Sequence, residues 1–570
     1  MSDYINVDDD RFYDFINRKY SNYKIPNKQK TFKQFCFPKK YEFQIPQKFL
    51  AEYINPKTPY TGILVYHRIG AGKTCTAINI AENFKNKKKI MVVLPASLKG
   101  NFKSELRSLC AGNHYLSNSD RQLLKELDPS SQEYREIIQK SDRAIEKYYT
   151  IYSYNKFVDL IKNNLLNLTN TLLIIDEVHN MISETGTYYE SLYKTIHSAP
   201  NDLRLVIMTA TPIFDKPNEI ALTMNLLLRD RQLPIGLDFV NTFMNIRYNN
   251  NGPVYEVKNM DTFKNDIRGY VSYYRGAPPY VFPKSELYFV RIKMSDYQKN
   301  VYKSVMREES KKSQMVDYVN NDISNSFFIG TRMISNIVFP NGKTGLKGFE
   351  SLQESDFDIE KIKMYSPKFL RIFRKIRKCN GTVFVYSNFK EFGGIRTFAG
   401  LLEHYGYKNY EYHSSGRKRF AIWSGDQNPL FKEEVKAVFN NKDNEFGGKI
   451  KVILGSSSIK EGVSFLRVQE VHIIEPYWNF SRMDQVIGRA IRFCSHKDVE
   501  PERQIVKVYI YMAVHPDIKM SIDERMMKMA LDKKIVNHAF EQALKEAAVD
   551  CELFKNANVY PGEQDIICMT

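Results

Sequence analysis

LVYHRIGAGKTCTAINIAENF, residues 64–84, runs from an apolar strand-like stretch through Gly70-Ala71-Gly72-Lys73-Thr74 into a helical pattern. Glycines in such a turn let successive backbone N–H groups point at a phosphate, and the helix behind them adds the positive end of its dipole. Lys73 is then placed to reach the β and γ phosphates of a nucleotide, and the Thr74 hydroxyl to ligand Mg²⁺. His67 stands where the usual GxxxxGK[ST] pattern has its first glycine, so the match is imperfect. A second signal, TLLIIDEVHNM at residues 171–181, puts Asp176 and Glu177 at the end of another apolar strand. A carboxylate there can hold the metal's water shell while its neighbour orients an attacking water, roles that fall to Asp176 and Glu177 respectively.

Working outward, short β-branched runs at 62–66, 90–94, 172–175 and 205–208 alternate with helix-length segments. That pattern predicts buried parallel strands of an α/β domain. A second series at 382–386, 451–454, 471–474 and 505–512 predicts another. Between them, residues 229–365 are less regular, with the turn signals GAPPY, VFPK and FPNGKTG, and are expected to form a bridging or inserted subdomain. From Ser521 a Ser-Ile-Asp-Glu capping box opens a long amphipathic pattern. The expected fold is α/β: two parallel-sheet domains, residues 41–228 and 366–515, with a bridging insertion, a helical C-terminal tail over 516–570 and an N-terminal extension over 1–40.

The chain has 570 residues, 43% of them hydrophobic, which supports several cores and argues against disorder. Lys and Arg total 83 against 65 Asp and Glu, a net charge of +18 that points to a polyanionic partner. Seven scattered cysteines show no CxxC and no zinc-type spacing, as expected of a reducing compartment without a zinc module. No apolar run approaches the ~18 residues of a spanning helix, so no membrane association is expected.

The order of these motifs resembles the superfamily 2 helicases and translocases, whose fold is two RecA-like domains clamping one NTP. Thr209-Ala210-Thr211-Pro212 resembles motif III, which couples hydrolysis to domain movement. Leu94-Pro95-Ala96-Ser97-Leu98 resembles motif Ia, and Tyr152-Ser153-Tyr154 the next strand-contacting motif. In the second half, VFVYS at 383–387 resembles motif IV, GSSSIKEGVS at 455–464 motif V, and QVIGRAIR at 485–492 motif VI. Arg489 and Arg492, three apart on one expected helical face, can present guanidinium groups to a γ-phosphate. By this resemblance Lys73, Asp176, Glu177, Arg489 and Arg492 are catalytic. Gly70, Ala71, Gly72, Lys73, Thr74, Gln47 and Gln485 bind the nucleotide, with Gln47 resembling the glutamine that reads adenine, and Thr74 and Asp176 hold the metal. His179, Thr209, Thr211 and Gly462 couple the motifs, while Pro95, Ser97, Tyr152, Ser387 and Ser456 face nucleic acid. The implied cofactors are ATP and Mg²⁺.

More narrowly, GRAIRFCSH (488–496), SYYRGAPPYVFP (272–283), RMISNIVFP (332–340) and AAVDCELF (547–554) resemble the transcription-associated ATPases of large cytoplasmic DNA viruses. Their poxvirus members are nucleoside triphosphate phosphohydrolase I and the small subunit of the early transcription factor. The resemblance implies a DNA-dependent ATPase that translocates on DNA, works with the viral RNA polymerase on early genes, and resides in the virion and the host-cytoplasmic viral factory. An ATP-gated promoter-binding assembly factor with little turnover, and an ATP-dependent RNA helicase, remain open as alternatives. Lys368, Arg371, Arg374, Lys375 and Lys378 form a basic helical face that either lies in solvent or tracks nucleic acid. Residues 18–48 interleave lysines with aromatics that either stack bases or pack on the first domain.

Overall fold

The computed structural model describes residues 4–570 apart from 28–29, 69, 129–130, 183–187, 250–251, 313–322, 324–325 and 461–462. The chain divides into two compact units, Met1–Pro278 with Ile535–Thr570, and Pro279–Lys534.

The first unit is built on β1 (Gly62–His67), β2 (Lys89–Leu94), β3 (Tyr149–Ser153), β4 (Thr171–Asp176) and β5 (Arg204–Thr209). A short hairpin, β6 (Met244–Asn249) and β7 (Gly252–Val257), precedes β8 (Val271–Tyr274). The sheet order is β3-β2-β4-β5-β1-β8, all neighbours parallel. Every residue of β1 and β4 is buried, so helices cover both faces, which is why these strands read as unbroken apolar runs.

Both chain ends close this core. Phe12, Tyr13, Ile16 and Tyr20 are buried with Phe49, Tyr53 and Tyr60, so this stretch packs on the first unit rather than forming a separate extension, while Phe37 is exposed. Phe540 meets Phe239 and Phe263, and Phe554 meets Phe49 and Tyr274.

The second unit holds β9 (Lys284–Lys293), β10 (Thr382–Tyr386), β11 (Lys408–Asn409), β12 (Arg419–Trp423), β13 (Val452–Gly455), β14 (Val468–Ile473) and β15 (Ile505–Val514). They form a parallel sheet in the order β11-β12-β13-β10-β14-β15-β9. The fold class is therefore as expected, two parallel-sheet α/β domains with a helical C-terminal region.

The boundaries differ from the sequence reading. Residues 229–365 do not form a unit of their own: the part up to Pro278 belongs to the first unit and the rest to the second. The reason is that β8 and β9 are edge strands, one pairing with β1 and the other with β15 along ten residues. β9 has no buried residue, so KSELYFVRIK lacks the apolar run that marks a central strand, and β8, though buried, is only four residues long. The tail likewise belongs to both units, since the helix Ile522–Glu546 contains the division at Lys534. Its capping box forms, with Ser521 N–H donating to Glu524 at 2.8 Å and Glu524 N–H to Ser521 Oγ at 3.2 Å.

The expectation of a wholly reduced chain is also corrected. Cys75–Cys110 and Cys551–Cys568 are disulfides, 35 and 17 residues apart in sequence, whose partners meet only through tertiary packing. Among the described residues no His/Cys/Asp/Glu cluster suits a metal ion, and no helix is long and apolar enough to cross a membrane.

Lys368, read as the start of a basic face, lies buried beneath the second sheet. Its Nζ sits 2.7 Å from Asp523 Oδ2 and 2.9 Å from Asn336 Oδ1. Asn336 Nδ2 donates to Glu475 Oε2 at 2.8 Å, and Asp523 Oδ2 also accepts the Ala513 N–H at 2.8 Å. Arg371 and Arg374 are exposed, while Lys375 lies 4.0 Å above the Tyr509 ring. Removing one partner of a fully buried pair strands the other charge. Lys368→Met is therefore expected to destabilise the second unit by roughly 3–5 kcal/mol, whereas Arg371→Ala should stay within about 0.5 kcal/mol, as read by denaturant unfolding.

Candidate active site

The lysine loop leaves β1 at its C-terminal end. Gly70 and Gly72 have φ of 87° and 69°, the left-handed region, and Gly72 caps the helix Lys73–Glu82. A Cβ on Gly72 would lie 2.6 Å from Gln47 Nε2, so a side chain there would displace the Gln47 amide as well as strain the backbone. At His67 the chain is still strand, which explains why that position needs none. Ala71 is buried, while Lys73 and Thr74 are partly exposed in the helix's first turn. Gln47 is buried with its amide engaged by backbone, Oε1 accepting from Gln44 N–H at 2.8 Å and Nε2 donating to Gly72 O at 3.3 Å. Cys75 ties the same helix to Cys110.

Asp176 ends β4, separated from β1 by β5 alone, so the two strand ends lie roughly 10 Å apart at ordinary strand spacing. Its Oδ1 accepts the Glu177 N–H at 2.9 Å. Glu177 has φ 51°, an unusual conformation for a residue with a side chain, worth on the order of 1 kcal/mol of strain. The Tyr154 hydroxyl spans the kink, donating to Asp176 O and, at 2.9 Å, to Glu177 O. Tyr154, within a segment expected to touch nucleic acid, is instead a buried support of the acidic pair. The sequence held no signal for that role, because the contact joins two strand ends distant in the chain.

His179 joins the acidic turn to the segment after β5. Its Nδ1 lies 3.5 Å from Glu177 Oε2, 3.2 Å from Thr209 Oγ1 and 3.5 Å from Thr211 Oγ1. Thr209 Oγ1 donates to Thr211 O and accepts Thr211 N–H, both at 3.0 Å. The imidazole stacks on Phe214 at 5.2 Å. Below them Glu219 accepts the N–H groups of Phe214 and Asp215 at 2.8 and 2.9 Å. Burial, then the neighbouring Asp215, pushes its carboxyl up to about 7. Phe214 and Glu219 were not singled out by the sequence reading, since neither belongs to a motif.

In the second unit, Arg489 and Arg492 do not share a helical face. The helix Phe480–Ile487, which carries Gln485, ends before them, and they lie in the turns that follow. They converge nonetheless, since Arg489 Nη1 and Arg492 Nη2 reach the Val463 carbonyl at 3.4 and 3.3 Å. Gly462 lies outside the described residues.

Of the residues expected at nucleic acid, Ser97 is exposed in the turn after β2, Pro95 is buried, and Tyr152 is half-buried on β3 beside Val93. Ser387 and Ser456 are buried. The Ser387 hydroxyl donates to both Glu475 carboxylate oxygens at 2.9 Å, so it braces the end of β10 instead of facing a strand. That correction follows from Glu475, a wholly buried acid whose carboxyl burial pushes up and which therefore needs donors. For the acidic pair, Tyr154→Phe is expected to keep the fold and lower kcat for ATP about tenfold, as measured by steady-state turnover beside a thermal melt.

Two family models match in order, one described as type III restriction enzyme, res subunit, over residues 35–214, and the helicase conserved C-terminal domain over residues 367–494. A protein of Acanthamoeba polyphaga mimivirus named as an ATP-dependent RNA helicase, R563, is 78% identical over 99% of both chains. A termination factor NPH-I homolog of African swine fever virus is 27% identical over 86% of this chain and 76% of its own. The helicase domain of Hef from Pyrococcus furiosus covers 85% of this chain and 97% of its own at 15% identity, with a TM-score of 0.42. The near-complete match to R563, with both helicase models in their proper order, means that the chain belongs to the superfamily 2 helicases of large DNA viruses and is an ATP-dependent helicase-type nucleoside triphosphatase.

Proposed function

We propose that the protein hydrolyses ATP with Mg²⁺ to translocate on DNA and acts with the viral RNA polymerase on early genes, in the virion and the viral factory. The observation that carries the hydrolytic part is the convergence of the lysine loop, the strained Asp176-Glu177 turn and the His179–Thr209–Thr211 cluster at one end of the first sheet. Lys73 and the loop N–H groups hold the phosphates, and Glu177 orients the attacking water and takes its proton. His179 is within reach of both Glu177 and the two threonines, so a change at the γ-phosphate would shift the segment after β5. Thr74 and Asp176 offer a hydroxyl and a carboxylate, hard oxygen donors suited to Mg²⁺, which supplies charge neutralisation of the phosphates when bound. Arg489 and Arg492 stabilise the phosphoryl charge in transit.

The DNA and transcription parts rest on the net charge of +18 and on the NPH-I relative. The printed name of R563 favours a second reading, an RNA helicase. Steady-state ATPase assays with single-stranded DNA, duplex DNA and RNA separate the two. Stimulation by DNA supports the first reading, and stimulation by RNA alone replaces it with the second.

Within the site, Lys73→Ala should abolish turnover. Glu177→Gln should lose at least about a hundredfold in kcat while still binding ATP. Arg492→Ala should lose about a thousandfold in kcat with nucleotide affinity nearly unchanged. Nucleotide titration beside turnover checks all three.

A further inference from the structure

The first sheet carries a buried polar chain behind the lysine loop. His67, the last residue of β1, is fully buried, and its Nε2 lies 2.9 Å from the hydroxyl of Ser272 on the neighbouring β8. Ser272 donates in turn to Asp550 Oδ2, while Asp550 Oδ1 accepts the Tyr273 N–H at 2.9 Å. Asp550 is wholly buried and, among the described residues, has no ion-pair partner.

It belongs to a C-terminal segment latched along β8. Val549 N–H donates to Val271 O at 2.8 Å, Asn558 Nδ2 donates to Tyr273 O at 3.1 Å, and Asn558 Oδ1 accepts Arg275 N–H at 2.9 Å. Cys551, the next residue, is bridged to Cys568.

The direction of the chain follows from its acceptor end. A carboxylate only accepts, so the Ser272 proton points to Asp550 and the Ser272 lone pair is left for His67. The imidazole must then carry its proton on Nε2 and a lone pair on Nδ1. That Nδ1 is buried and, among the described residues, has no hydrogen-bond partner. Burial, reinforced by the charge of Lys73, holds the ring neutral by lowering its pKa to about 3. A neutral imidazole with an acceptor atom is compatible with the Lys73 ammonium, whereas a cationic ring or an Nδ1–H would repel it.

We propose that His67, Ser272 and Asp550 form a positioning relay through which the C-terminal segment holds the lysine loop in its phosphate-binding arrangement. His67 is a positioning residue acting through Lys73 and the loop, and the relay makes residues 547–558 part of the ATPase site.

The test uses the full chain with ATP and Mg²⁺ at pH 8. Burial pushes the Asp550 carboxyl up to about 7, so at that pH it is largely a carboxylate. Ser272→Ala and His67→Phe are expected to raise KM for ATP about tenfold with kcat changed less than about threefold, the signature of lost ground-state phosphate binding. Their melting temperatures should stay within about 3 °C of the parent. His67→Gln, whose amide keeps a donor for Ser272, should restore KM to within about twofold. Unchanged KM in both disruptive variants overturns the relay. So does a lowered melting temperature without a KM change, which marks a purely structural network, and so does His67→Gln behaving like His67→Phe. Should Ser272→Ala fail to fold, the two His67 variants decide alone.

Discussion

The parallel pairing of β4, β5 and β1 is the constraint on which the rest depends. In a parallel sheet covered on both faces, every strand leaves at the same edge. The loop after β1, the turn after β4 and the segment after β5 are therefore neighbours by topology before any side chain contributes. The lysine loop, the acidic pair and the threonine cluster need no long-range design to meet. They need only strands that stay parallel, which the fully buried runs of β1 and β4 secure.

What topology brings near, specific contacts bring into register. Glu177 is held in a left-handed conformation that an isolated turn would abandon, and Tyr154 pins the carbonyls on both sides of it. Gln47 occupies the space a Cβ on Gly72 would need and anchors that residue's carbonyl. His179 reads the acidic turn on one side and Thr209 and Thr211 on the other, while Phe214 sets its plane. In each case a strained or permissive backbone is fixed by a side chain from elsewhere in the chain.

Buried polar groups serve the second unit similarly. Glu475 collects donors from Ser387, Asn388 and Asn336, and Asn336 passes to Lys368 and Asp523. The network joins the end of β10 to the first turn of the helix Ile522–Glu546. Its members must be satisfied together, since any one left alone would be a desolvated charge or amide.

The sequence by itself determined the strand cores and the helix that follows Lys73, and its motifs singled out Lys73, Thr74, Asp176, Glu177, Thr209 and Thr211 as candidates. These are legible because buried central strands are continuous apolar runs and because phosphate-binding turns constrain residue type locally. Tertiary structure alone decided where the units divide, since edge strands such as KSELYFVRIK carry no such run. It alone brought Tyr154 under the acidic turn, buried Lys368 and Ser387, paired Cys75 with Cys110, and carried Asp550 to Ser272 across 278 residues of chain. Those outcomes depend on which surfaces meet on folding, and no local spacing encodes that.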